Sequence, residues 1–290
     1  MLKTLVTAIV TAFNEEDHIG RCIESLLSQD FSDMEILVVD DGSRDETPGI
    51  VKEYLQKYPD KVRLIRLPRN LGLGNARNIG ALNANGQIVV FLDADMTFPS
   101  DFIGKLVSPI IEGACVATCY EYEIIANTDN PWVKVQGQKI RGYLGASSTW
   151  AVRAIKKEVF LQHGGYDARY GYFDDGTFCE KAKIVSTVVK GSYVYHYNPP
   201  NAREIFRKSF WIGLSLRRRY SQNKMELLNI LLRRLFDFSP IIGAFLTVFG
   251  MLFIFIELLL CTSFMAVIFR MRILKADSMR EAILLRPVSY

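Results

Sequence analysis

Short apolar runs alternate with segments whose apolar positions recur every three or four residues through the first third of the chain. Leu5–Thr11 reads as a buried strand. Ile19–Gln29 places Ile19, Cys22, Ile23, Leu26 and Leu27 on one helical face, and Glu35–Val39 reads as a second strand. A helix at Thr47–Tyr58, a strand at Val62–Leu67, a helix at Gly74–Asn83 and a strand at Ile88–Leu92 continue the alternation. This order predicts an α/β fold whose mostly parallel sheet carries helices on both faces. Ligands of such sheets sit at the carboxyl ends of the strands. Those ends carry Thr11-Ala12-Phe13-Asn14-Glu15, Asp40-Asp41-Gly42-Ser43 and Asp93-Ala94-Asp95, three polar clusters expected on one rim.

The pattern changes after residue 202. Residues 203–234 set Ile205, Phe206, Phe210, Trp211 and Leu214 against Arg203, Arg207, Lys208, Arg217, Arg218 and Arg219, an amphipathic and basic helical stretch. It reads either as a helix lying on a membrane surface or as the basic face of an ordinary packed helix. Pro240–Phe269 then holds only Thr247, Glu257, Thr262 and Ser263 as polar side chains, the composition of a membrane segment. One helix of that length would run roughly 45 Å against a hydrocarbon core of about 30 Å, so it tilts, protrudes or folds back. Both flanks are basic, which leaves orientation open and fits a re-entrant hairpin. The expected organisation is an α/β domain at 1–202, interfacial helices at 203–238, a transmembrane or re-entrant segment at 239–270 and a basic tail at 271–290. The membrane segment is also a place for homo-oligomer contacts.

Charge sharpens this division. Residues 1–202 hold 21 Lys and Arg against 25 Asp and Glu, whereas 203–234 hold 9 against 2. Basicity confined to the approach of an apolar segment points to anionic membrane lipids, and nucleic acid is not an expected partner. Five cysteines without CxxC spacing suit a reducing compartment. The opening residues read as a strand rather than a signal peptide, because Asn14-Glu15-Glu16-Asp17 interrupts the apolar run.

The chemistry-bearing pattern is Ile88-Val-Val-Phe-Leu-Asp93-Ala94-Asp95. Residues i and i+2 of a strand share a face, so Asp93 and Asp95 can share a hard divalent cation, Mg²⁺ or Mn²⁺, with a phosphate as third party. Taken alone, the triplet equally describes solvated turn aspartates, and Asp40-Asp41-Gly42-Ser43 taken alone describes an Asx turn. Gly72-Leu73-Gly74 followed by Gly80 lacks the G-x-G-x-x-G spacing of a dinucleotide site, since Arg77 stands at the third glycine. Arg77 reads either as a ribose or phosphate contact or as half of a surface salt bridge.

Taken together, these residues resemble family 2 glycosyltransferases with the GT-A nucleotide-sugar-binding fold, a Rossmann-like α/β sheet, over about residues 4–220. Thr7-Ala-Ile-Val-Thr-Ala-Phe-Asn-Glu-Glu16 resembles the family's opening strand and turn, with Phe13 at the usual tyrosine. Glu35–Thr47 resembles its second strand and Asp-Asp-Gly-Ser loop. Asn70–Gly80 resembles the segment before its metal strand, also in polyprenyl-phosphate mannose synthases, although Thr97 stands where those carry glutamine. The resemblance implies that Thr11, Ala12, Phe13, Glu15, Val39, Asp40, Asp41, Asp93 and Ala94 bind the nucleotide-sugar donor. It implies further that Asp95, with Asp93 acting directly or through water or ribose, holds the metal. His196 is either a further metal ligand or a structural histidine.

Gly164-Gly-Tyr-Asp167 and Gly171-Tyr-Phe-Asp-Asp-Gly-Thr-Phe178 resemble the family's acceptor-side loop and acidic pair. The resemblance makes Asp175 the general base that deprotonates an acceptor hydroxyl in an inverting single displacement. Its alternative role is a helix cap. An ionised phosphate acceptor would need no base, so Asp175 favours a hydroxyl on a lipid-linked or membrane-proximal glycan. Residues 206–211 do not match the Gln-x-x-Arg-Trp motif of processive relatives. The expected location is the cell membrane, with the catalytic domain on the cytoplasmic side. The competing functions are a polyprenyl-phosphate sugar synthase and a non-catalytic, membrane-anchored nucleotide-sugar-binding protein.

Overall fold

The computed structural model describes residues 6–136, 140–220 and 225. The first half runs β1 (Val6–Ala12), α1 (Ile19–Leu27), β2 (Met34–Asp40), α2 (Thr47–Lys57), β3 (Val62–Arg66), α3 (Leu73–Asn83), β4 (Ile88–Asp93), β5 (Met96–Thr97), α4 (Phe102–Ile111) and β6 (Ala117–Ile125). The remainder runs α5 (Pro131–Gln136), β7 (Ile140–Gly142), β8 (Ser148–Thr149), β9 (Ala154–Lys156), α6 (Lys157–Gln162), a 3₁₀ stretch at Ala168–Phe173, α7 (Asp174–Ala182), β10 (Ser186–His196) and α8 (Ala202–Arg219).

β1 is buried along its whole length, as its run of β-branched residues requires, and it lies between two parallel neighbours. Val6 stands in register with Met34 of β2 on one side and with Ile88 of β4 on the other. The strand order is β3-β2-β1-β4-β9-β6-β10-β5. The expected parallel pairing holds from β3 to β4 and again between β6 and β10. Among the described residues, β9 enters antiparallel between β4 and β6, and β5, β7 and β8 also pair antiparallel, so the sheet is mixed. These four strands are two or three residues long. That is too short for period-two alternation to register in a sequence.

Helices cover both faces, as expected. Ala8, Val10, Ile36, Val38 and Val90 pack with Ile19, Cys22, Ile23 and Leu26 of α1 and with Ile103 and Leu106 of α4. Ile9, Leu37, Val39, Val89 and Phe91 pack with Ala76 and Ala81 of α3, Phe160 of α6 and Phe178 of α7. α3 comes so close to β1 that a Cβ on Gly80 would lie 2.5 Å from Ile9 Cγ2. Phe91, Phe160, Tyr166 and Phe178 form an aromatic cluster with ring centroids 4.9–5.6 Å apart. Each such pair contributes about 0.5–1.5 kcal/mol beyond its buried area. The cluster fixes α7, whose first turn carries Asp174 and Asp175, against the sheet that carries Asp93.

Among the described residues, 6–126 and 140–197 belong to one compact unit, and 127–136 and 198–220, with α5 and α8, belong to another. Within the second, Asn127 Nδ2 donates to the Asn198 carbonyl (2.7 Å) and Asn198 N–H donates to Asn127 Oδ1 (3.0 Å). α8 starts at Asn201, whose side chain accepts from Glu204 N–H, an N-cap of the usual kind. Its buried positions are Ile205, Ser209, Gly213 and Ser215, whereas Phe206, Phe210 and Trp211 remain 37–40% exposed. The single apolar face expected from sequence is therefore split, with Ile205 and three small residues inside and the aromatic residues out. No helix among the described residues is long and apolar enough to cross a membrane. The expected segment at 239–270, its oligomer contacts, the tail at 271–290 and most of 220–238 lie outside the described residues. Cys22, Cys115, Cys119 and Cys179 are free thiols.

Candidate active site

The loops after β1 and β2 are laced into one wall. Asn14, in the left-handed region at φ 56°, donates its N–H to Ser43 Oγ (2.9 Å) and accepts from Arg44 N–H at Oδ1 (2.9 Å). Glu15 N–H donates to Thr47 Oγ1 (2.8 Å). Asp40 is fully buried; its Oδ1 accepts from Ser43 N–H (2.9 Å) and its Oδ2 lies 3.3 Å from Arg66 Nε. Asp40-Asp41-Gly42-Ser43 is thus an Asx turn as well as a rim cluster. Gly42 makes the turn possible, because at φ 76° a Cβ would lie 2.5 Å from the Arg69 carbonyl carbon.

Asp41, expected to bind the nucleotide-sugar donor, accepts first from the protein: Leu71 N–H reaches Oδ1 (2.6 Å) and Gly72 N–H reaches Oδ2 (2.9 Å). Burial raises its pKa above the ordinary carboxylate value, and these two N–H groups oppose the rise. Each oxygen keeps a further lone pair for a ligand. Thr11, Ala12, Val39 and Ala94 are buried, and the Val39 side chain lies in the core beside Gly80 rather than on the rim. Phe13 is exposed at the rim.

The two aspartates of the metal motif part company. β4 ends at Asp93 and the chain turns at Ala94-Asp95, so strand alternation does not extend to Asp95. Asp93 Oδ1 accepts from Arg77 Nη2 at 2.7 Å, and its Oδ2 lies 3.6 Å from Arg153 Nη1. Arg77 is not a surface residue; it is 2% exposed. Its Nη1 stands 3.7 Å from Asp174 Oδ1 and 3.8 Å from Asp175 Oδ1. Burial disfavours its charge, but Asp93, Asp174 and Asp175 outweigh burial and raise its pKa. Asp174 is raised to about 7, chiefly by burial, with Arg77 opposing and Asp175 and Asp93 reinforcing. Its Oδ1 accepts from Asp175 N–H (2.8 Å) in the first turn of α7. Burial keeps the Tyr166 hydroxyl protonated, with the charge of Asp175 reinforcing, and the hydroxyl donates to the Val152 carbonyl (3.5 Å). Asn78 grips the Tyr166 backbone from α3, donating to its carbonyl (2.8 Å) and accepting from its N–H (2.9 Å).

Asp95 faces the other way. Its Oδ2 lies 3.0 Å from His196 Nε2, and His196 Nδ1 lies 3.0 Å from Glu123 Oε2. Tyr197 N–H donates to the Asp95 carbonyl (2.9 Å), and the Tyr197 ring lies against His18 and beneath Arg21. The His18 pKa is raised, first by its hydrogen bond to Glu15. Among the described residues no group of three His, Cys, Asp or Glu side chains is set to enclose a cation. One carboxylate and one imidazole 3.0 Å apart nevertheless fit an ion that takes its remaining ligands from diphosphate oxygens and water. Asp93, turned to two arginines, is outside that pair.

Arg153, Tyr166, Asn78 and Glu123 were not singled out from sequence as working residues, and Asp174 was read there only as the companion of Asp175 in the acidic pair. Asn78 alone carried a local signal, next to Arg77 in a helix that packs tightly at Gly80. The others converge only through the sheet.

A mixed α/β sheet with acidic residues at the carboxyl ends of its parallel strands is the GT-A class of architecture. Residues 7–173 match the family described as "Glycosyl transferase family 2", and the chain belongs to that family. It is 44% identical over 103 residues to the succinoglycan biosynthesis protein ExoO of Rhizobium meliloti, covering 35% of this chain and 28% of that protein. It is 31% identical over 137 residues to the uncharacterized glycosyltransferase alr2836 of Nostoc sp., covering 47% and 42%. The match thus spans less than half of either relative. In fold it is similar to the mannosyltransferase PcManGT from Pyrobaculum calidifontis in complex with GDP-Man and Mn²⁺ (TM-score 0.58, 19% identity, 97% of this chain and 89% of that one).

Proposed function

We propose that this protein is an inverting, divalent-metal-dependent glycosyltransferase that moves one sugar from a nucleotide-diphosphate sugar to a hydroxyl of a lipid-linked or membrane-proximal glycan. The observation that carries the reading is the gathering of Asp93, Asp174 and Asp175 about the buried guanidinium of Arg77. It brings the end of the donor strand and the first turn of α7 to one place, where a donor's anomeric carbon and an acceptor oxygen would meet. Family membership and a similar fold that holds GDP-Man and Mn²⁺ support the donor class.

In this reading the laced loops at 13–18 and 40–47 hold base and ribose, with Asp41 offering its remaining lone pairs. Asp95 and His196 would hold the cation, which when bound would supply positive charge to neutralise a departing diphosphate. Asp175 accepts the acceptor's hydroxyl proton as that oxygen bonds to the anomeric carbon and the carbon–diphosphate bond breaks on the opposite side. Arg77 orients Asp175, and Arg77 and Arg153 orient Asp93 toward the donor.

The acceptor and the location rest on the second unit. Exposed Phe206, Phe210 and Trp211 share α8 with Arg207, Lys208 and Arg217–Arg219, a combination suited to anionic headgroups. With the apolar segment at 240–269, this supports a protein held at the cell membrane with its catalytic domain on the cytoplasmic side. The test is calorimetric titration of UDP-, GDP- and dTDP-sugars with and without Mn²⁺, followed by nucleotide release on adding membrane lipid extract. Metal-dependent donor binding with lipid-stimulated release is expected; donor binding without release under any acceptor would replace the enzyme with a binding protein.

A further inference from the structure

We propose that Glu123, on β6, is a positioning residue for the Asp95–His196 pair, holding the imidazole so that Nε2 is presented to a divalent cation. The inference rests on the metal reading above. It begins from a chain of side chains that no sequence motif contains. His196 Nε2 faces Asp95 and Nδ1 faces Glu123, each at 3.0 Å, and the histidine is only 8% exposed at its side chain. The other oxygen of Glu123 accepts a hydrogen bond from the Tyr120 hydroxyl. Tyr120 is buried, and burial keeps its hydroxyl protonated and therefore a donor. The Tyr120 ring lies 5.4 Å from the guanidinium of Arg153, which faces Asp93.

A single run of contacts, Asp95–His196–Glu123–Tyr120–Arg153–Asp93, therefore joins the two aspartates of the motif through β6. An imidazole that ligates a cation through Nε2 must carry its proton on Nδ1, and a carboxylate beside Nδ1 selects that tautomer and fixes the ring's orientation. Glu123 occupies that place and is itself held by Tyr120, so the carboxylate does not have to order on metal binding. The backbone supports the arrangement. β10 runs parallel to β6 with a register shift between Val189 and Tyr193, and beyond it Val194 pairs with Glu123 and His196 with Ile125. Gly191, at φ 70° inside this irregularity, donates its N–H to Glu121 (2.8 Å). A bulge of this kind re-aims the strand that follows it, here the end that carries His196.

The test compares wild type, Glu123→Gln and Tyr120→Phe by Mn²⁺ titration read by electron paramagnetic resonance, with and without UDP or GDP. Nitrogen-15 spectra of the metal-free protein, at a pH where the imidazole is neutral, read the histidine tautomer. Glu123→Gln is expected to weaken Mn²⁺ about 10–100-fold and to lose the Nδ1–H form of His196. Tyr120→Phe, which keeps the buried ring, is expected to weaken Mn²⁺ about 3–10-fold and decides the matter if Glu123→Gln does not fold. Wild-type Mn²⁺ affinity and tautomer in the variants would overturn the role of Glu123 while leaving the metal reading intact. A wild-type protein that binds no Mn²⁺ with any nucleotide would overturn both.

Discussion

Arg77 and Asp93 share a 2.7 Å hydrogen bond in which the guanidinium is almost wholly buried. Because the opposite side of the same guanidinium faces Asp174 and Asp175, one cation offsets three carboxylates. Burying those charges is costly alone and sustainable only together, which makes Arg77 the residue on which the site's geometry depends.

Arg77→Met should therefore destabilise the fold by about 3–5 kcal/mol, since it strands buried carboxylates without their counter-charge. Urea unfolding measures this. A loss under 1 kcal/mol would mean that the carboxylates are not held by Arg77.

Asp174 gives the site a pH signature. Its folded-state pKa of about 7 exceeds the ordinary carboxylate value, so between those values the folded protein binds the extra proton. Asp174 therefore costs no stability in acid, where both states are protonated, and the cost grows as pH rises from about 4 to 7 and levels off above. Asp174→Asn, which cannot ionise, should gain on wild type by roughly 3–10 °C in Tm between pH 5 and pH 8. A Tm difference that does not change with pH would place the Asp174 titration elsewhere.

The proposed roles of Asp95 and Asp175 separate by experiment. Asp95→Ala should abolish both transfer and metal-dependent donor binding. Asp175→Ala should lower kcat by about 10²–10⁴-fold while donor affinity stays within a few-fold. Equal loss of donor binding in both variants would contradict the division.

Gly42→Ala should cost about 1–3 kcal/mol, because it combines a positive φ with a Cβ 2.5 Å from the Arg69 backbone. Displacing that backbone would move Leu71 and Gly72, the donors to Asp41, so weaker nucleotide binding should accompany the loss. Thermal melts and nucleotide titrations of the same preparation check the pair.

How much was legible beforehand depended on range. The apolar run of β1, the helical face of α1 and the sequence from β2 through β4 were readable because period and turn chemistry are local. The same holds for the acidic strand ends, since residues directly after a buried strand must lie on its rim. Asp93 and Asp95 were therefore found together, with His196 as a candidate ligand, yet the parting of the two carboxylates was not. The strand ends at Asp93, and where each carboxylate turns depends on Arg77 from α3, Arg153 before β9 and His196 at the end of β10.

The sequence by itself determined the alternation of strands and helices, the family and the carboxylates at its centre, because each follows from patterns within a few residues. Only the tertiary structure decided that the sheet is mixed, that Arg77 is buried among three acids and that Glu123 stands behind His196. Antiparallel insertion of a three-residue strand and the meeting of side chains from distant elements are set by long-range packing, which leaves no periodic trace along the chain.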